Sequence, residues 1–211
     1  MPVFDPRNLN YVTPQFAADR IQSGWIAQYR GNSWLSHWIE YATGGVHSHS
    51  AMLRREGSLV DLLEFREGVG GRSIPFLGEC AKESGAFDVF SIDLEHFPHF
   101  DGEGAALCMR ELTSRDYGYR GVARVLLSKV PFVRRRYELD MSDDGMLASG
   151  EAPFCSHGVC AATRIGGGID PVPRKPDSRV SPNDLTWSLL YKYEFTPSMN
   201  CGTCPTKGGG P

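Results

Sequence analysis

Several stretches of the chain alternate between apolar and polar residues, the period of a strand with one face buried. They cover residues 24–31 (GWIAQYRG), 46–53, 58–65 and 87–93 (FDVFSID). Other segments follow the helical period instead. Trp34, Leu35, Trp38, Ile39 and Ala42 predict a helix over 32–45, stopped by Gly44 and Gly45. Residues 101–116 predict a second helix with acidic residues at its start, and 120–128 a shorter one. FCSHGVCAATRIGGG, from residue 154, reads as a helix of small residues ending in three glycines. SPNDLTWSLLYKYEF (181–195) finishes in a strand. The pattern fades over residues 1–14, which hold three prolines, and over the acidic stretch 138–153. The division expected is an irregular lead-in over 1–22, a folded domain over 23–196 and a flexible Cys/Gly/Pro tail over 197–211.

The strand at 46–53 carries His47 and His49 on one face, together with Ala51 and Leu53. A four-residue connection, Arg54–Gly57, to the strand at 58–65 puts His49 opposite Leu62 and His47 opposite Glu64. Glu64 is then within reach of both imidazoles. A carboxylate beside an imidazole orients the ring and stabilises its protonated form. It also describes an ordinary hydrogen-bonded pair at the edge of a core.

Composition narrows the choice. With 211 residues, 41% of them hydrophobic, the chain can bury a full core. A net charge of −3 gives no case for a nucleic-acid partner or an anionic membrane. No apolar run approaches the roughly 18 residues of a membrane span. The opening MPVFDPRNLNYV has neither a basic nor an apolar leader region, so no signal peptide is expected. Six cysteines in a chain of this size do not make a disulfide framework, which suits a reducing setting, cytoplasmic or virion-associated.

Free thiols raise the question of a nucleophile. Cys155 opens the small-residue helix, where the helix dipole and free backbone N–H groups favour a thiolate and can hold an oxyanion. Gly158, Ala161 and Ala162 let that helix lie close to a sheet. Cys160, inside the same helix, fits a small buried residue better.

These segments, in this order, resemble the circularly permuted branch of the NlpC-type papain-like cysteine hydrolases, the YiiX/YaeF-like group, with lecithin retinol acyltransferase as a distant relation. SGWIAQYRGNSWLSHWIEYATGGVHSHSAML resembles the family's strand, helix and Ser-His strand. LVDLLEFREGV resembles the strand with the third polar residue. APFCSHGVCAATRIGG resembles the nucleophile helix, and SPNDLTWSLLYKYEF the closing segment. The resemblance implies an α+β, permuted papain-like fold, with helices packed on a mainly antiparallel sheet or open barrel. It implies Cys155 as nucleophile, His49 rather than His47 as its base, and Glu64 as the residue that orients His49.

The expectation is therefore a thiol-dependent hydrolase (amidase or endopeptidase) that cleaves an amide or ester through an acyl-enzyme, without cofactor or metal. Its partner would be a cell-wall peptide or a lipid substrate. The alternatives are an acyltransferase of the same fold and a non-catalytic virion or scaffold binding module. Three lesser signals remain. Lys129, Arg134, Arg135 and Arg136 make a basic stretch that reads as a solvated face. Cys201 and Cys204 form half of a metal motif, in a tail that could also contact a partner. His96 and His99 lie in a loop.

Overall fold

β-branched and aromatic runs set the strands, and side chains of Thr13, Asp101 and Ser181 cap the starts of three helices. The computed structural model describes residues 4–31, 44–66, 69–113, 154–173 and 175–201. Most of the helix expected over 32–45, the helix at 120–128, the basic stretch, the acidic stretch 138–153 and Cys204 lie outside the described residues.

In chain order the elements are β1 (Tyr11–Val12), α1 (Pro14–Arg20), β2 (Ile26–Tyr29), β3 (His49–Glu56), β4 (Leu59–Arg66), β5 (Gly70–Pro75) and α2 (Phe76–Lys82). They continue with β6 (Phe87–Ile92), α3 (Gly102–Leu112), α4 (Cys155–Ile165), a 3-10 turn (Asp177–Arg179), α5 (Pro182–Thr186) and β7 (Tyr191–Pro197). The strands form one open seven-stranded sheet in the order β1-β7-β6-β2-β3-β4-β5. β1 runs parallel to β7, and the other neighbours pair antiparallel. The fold is thus mixed α+β, with helices on a sheet that ends at β1 and β5 and does not close into a barrel.

Several segments differ from the sequence pattern, α2 among them, which the pattern did not predict. β1 and α1 form within the stretch expected to be irregular, α1 being started by Thr13, whose hydroxyl accepts from the Phe16 N–H. β5 forms where Gly70 and Gly71 hide the alternation. The connection between β3 and β4 is a two-residue turn, Gly57-Ser58, because Gly57 adopts a φ of 61°. The longer strands shift the register, so Ala51 faces Glu64 and Leu53 faces Leu62.

The sheet is covered on both faces. His47, Ser50, Ala51, Met52 and Leu53 are all fully buried, so the expected split of this strand into a core face and an outer face does not hold. α4 lies against β3, β4 and α3. Its approach depends on Gly158, where a Cβ would come within 2.6 Å of the Phe65 ring. α5 is fixed by a capping box in which the Ser181 hydroxyl accepts from the Asp184 N–H and Asp184 reaches back to the Ser181 N–H.

Candidate functional site

Two elements meet at the first residue of each. β3 begins at His49 and α4 begins at Cys155. The pattern that starts the helix is APFC, with Phe154 at the N-cap in extended conformation and no side chain capping the first turn. The N–H groups of that turn are therefore left for other acceptors. Cys155 is buried, at 6% exposure, and its thiol and the His49 ring lie close enough to act on each other's charge. The backbone N–H groups of Ser50 and Ser156 lie near the same sulfur and favour its anion. His49 uses Nε2 on Glu64 Oε2, at 2.6 Å, which leaves the ring's other nitrogen for the thiol.

Glu64 is fully buried and doubly held. Its second oxygen, Oε1, accepts from Arg72 Nε at 2.6 Å and contacts Arg72 Nη2 as well. Arg72 is its direct partner across β5. The edge of the Tyr29 ring meets the His49 ring, with centroids 5.2 Å apart.

Charge follows this geometry. Burial works against the imidazolium, but the Cys155 and Glu64 charges outweigh it and raise His49 to about 10. Burial likewise opposes the Glu64 carboxylate, and the cations of His49 and Arg72 bring it down to about 2. Cys155 is pushed up by burial and brought below its ordinary value by His49 and the two N–H donors. Cys80, by contrast, is raised by burial to about 12, with the Glu79 charge adding to the effect.

The three expected residues, Cys155, His49 and Glu64, are thus brought together. His47 is not with them. Its Nε2 meets Asp88 Oδ2 at 2.9 Å and its Nδ1 meets Thr186 Oγ1 at 2.9 Å, so the expected reach of Glu64 to both histidines is corrected. The Asn183 side chain accepts from the His47 N–H at 3.0 Å and donates to its carbonyl at 2.8 Å. Sequence reasoning missed Arg72 and Asn183. Asn183 sits in the SPNDL segment, while Arg72 lies in a strand that the glycines conceal.

Among the described residues, two other groups have donor atoms within 4.8 Å of one another: Asp93, Glu95 and His96, and Cys160, Asp170 and Asp177. In the first, the Lys192 ammonium sits 2.6 Å from Asp93 Oδ1, where a cation would go, and His96 Nδ1 holds Oδ2 at 2.8 Å. That group does not fit a resident metal. In the second, Cys160 donates to Asp177 Oδ1 at 3.1 Å and Arg164 to Oδ2 at 3.0 Å. A thiol with two carboxylates fits the donor preferences of a zinc-like ion. No described helix is long and apolar enough to cross a membrane.

No family model matches the chain, and no curated protein matches it. Among solved structures it is similar to one described as metalloprotein yiiX from Escherichia coli O157:H7. The two are 16% identical, with a TM-score of 0.49, over 84% of this chain and 98% of that one. The expectation of a metal-free thiol amidase or endopeptidase acting on cell-wall peptide or lipid is corrected here, together with its acyltransferase and binding-module alternatives. What corrects it is that Cys160, Asp170 and Asp177 place donor atoms spaced for a cation.

Proposed function

We propose that the chain is an enzyme whose reactive group is the Cys155 thiolate, with His49 as its proton partner and Glu64 as the positioning residue for His49. One observation carries this reading: the buried thiol at the start of α4 lies beside an imidazole that is itself hydrogen-bonded to a buried carboxylate. The thiolate is the nucleophilic form of cysteine, and the imidazolium beside it can protonate what leaves. In such a reaction Sγ bonds to an electrophilic carbon, and His49 gives its proton to the displaced or newly formed anion. The histidine strand comes before the cysteine helix, the order of the permuted papain-like arrangement that the sequence resembles.

Alkylation at about pH 6, with mass spectrometry of every cysteine, tests this. The expected result is fast adduct formation at Cys155, with Cys80 and Cys160 unlabelled in the folded protein. Silence at Cys155 under these conditions contradicts the reading.

A second reading, a metal-associated protein, has its own support in the Cys160, Asp170 and Asp177 group. These residues would hold a divalent ion if Asp177 exchanged its Arg164 contact for the metal. Such an ion would hold that loop against α4. Elemental analysis of the purified protein tests it: stoichiometric metal that disappears in Cys160→Ala supports the site, and no bound metal after dialysis against zinc removes it.

A further inference from the structure

Glu64 is a buried carboxylate with its two oxygens assigned to different partners. Oε2 faces His49 and Oε1 faces Arg72. Two nitrogens of the guanidinium, Nε and Nη2, converge on that single oxygen. With each oxygen held by a different partner, rotation of the carboxylate about its last bond breaks both contacts. The alignment is built into the sheet, because Arg72 pairs directly with Glu64 across β4 and β5. His49 lies on the far side of Glu64, at the start of β3.

We propose that Arg72 is a positioning residue for the thiol site, holding the Glu64 carboxylate so that Oε2 stays on His49. The proposal rests on the thiolate reading given above and names a fourth member of that site: Arg72, Glu64, His49, Cys155. Without the fork, Oε1 and Oε2 become equivalent. Glu64 then swings toward its other cation, Arg66, whose Nη1 is 3.9 Å from Oε1. The remaining ionisable groups facing this carboxylate do not replace Arg72. Tyr29, from β2, is a neutral phenol held protonated by burial and by the charges of Glu64 and Glu79. Glu79, from α2, is itself an acid, engaged with Arg66 at 3.6 Å and with the Tyr29 hydroxyl. Cys155, from α4, lies beyond His49.

Two features set this apart from a surface ion pair. The carboxylate has no water-exposed surface, so its partners are not interchangeable with solvent. The arginine is only partly exposed, at 28%. A lysine could supply charge there, but not two N–H groups in a fixed plane.

The test is the pH dependence of Cys155 alkylation in the full chain, measured with iodoacetamide. It compares wild type, Arg72→Gln, Arg72→Lys, Glu64→Gln and the double variant, each checked for folding by circular dichroism. Arg72→Gln is expected to lower the labelling rate at about pH 6 by roughly tenfold, equivalent to about 1.4 kcal/mol, and to move the labelling curve toward higher pH. Arg72→Lys recovers part of this. In the Glu64→Gln background, Arg72→Gln adds nothing, because Arg72 acts only through Glu64. A wild-type labelling curve in Arg72→Gln overturns the proposal, as does an equal loss with and without Glu64. Should Arg72→Gln not fold, Arg72→Lys decides: wild-type labelling there shows that the fork is not needed. If wild-type Cys155 itself fails to label, the thiolate reading has failed and this proposal falls with it. That outcome is distinct from normal wild-type labelling with no effect of Arg72.

Discussion

His49, the first residue of β3, and His47, just before it, have different partners. His49 lies beside the thiol and bonds Glu64, while His47 is fully buried between Asp88 and Thr186. His49→Ala should therefore remove Cys155 labelling at about pH 6, and it also lowers the melting temperature because the buried Glu64 loses a partner. His47→Ala should lower stability alone. It strips one partner from the buried Asp88 carboxylate, at a cost of about 1–3 kcal/mol, and spares the thiol. Labelling and thermal melts of both variants check this, and equal effects would remove the distinction. The candidate pairing of Glu64 with a histidine was legible in the alternation of the two strands, even though the register differs. The turn is two residues rather than four, which is an even change, so the residues keep their faces. Glu64 lies diagonal to His49 in either register, which is why that pair survives while the pairing with His47 does not. Arg72 was not legible, because a strand beginning Gly70-Gly71 shows no alternation to count.

At the level of elements, the site depends on where β3 starts. Asn183 of α5 holds both backbone groups of His47, two residues before His49. Gly45 makes room for this contact, since a Cβ there would come within 2.1 Å of Asn183 Oδ1. Asn183→Ala leaves a buried N–H and a buried carbonyl without that partner, a loss of about 1–3 kcal/mol. It should also lower the Cys155 labelling rate, since the lead-in to His49 is released. Asn183→Asp keeps the acceptor and loses the donor, so it should fall between the two. Denaturant unfolding and labelling read both effects, and an unchanged Asn183→Ala would show that the clamp is not needed. SPND stood out in the sequence only as part of the closing segment of the resemblance, and its capping box emerges from the structure. Its grip on a strand more than a hundred residues away was not readable, because sequence spacing carries no information about such a contact.

For the whole molecule, the charged chain at the site ties stability to pH. Glu64 is ionised down to about 2 in the fold, against an ordinary value of 4.5. Its contribution is therefore present above pH 4.5 and lost as pH falls toward about 2. His49 is raised to about 10 from 6.5, so its contribution is complete below 6.5 and is lost as pH rises through about 10. Melting temperature should fall on acidification below pH 4.5, and Glu64→Gln should flatten that limb. An equally steep limb in Glu64→Gln would assign acid sensitivity to other carboxylates. The open sheet's inner strands and the small-residue helix α4 were legible from periodicity and composition, and the α+β class from the resemblance. The outer strands β1 and β5 were not, being too short or too rich in glycine to show a period.

The central claim is that Cys155 is a thiolate held by His49 in the resting protein. The most direct measurement is the ultraviolet absorbance of the thiolate as a function of pH, taken as the difference between wild type and Cys155→Ser. The account predicts close to one thiolate per chain in that difference at about pH 6, abolished in His49→Ala. A difference that stays at zero until the roughly 8.5 of an ordinary thiol would contradict it.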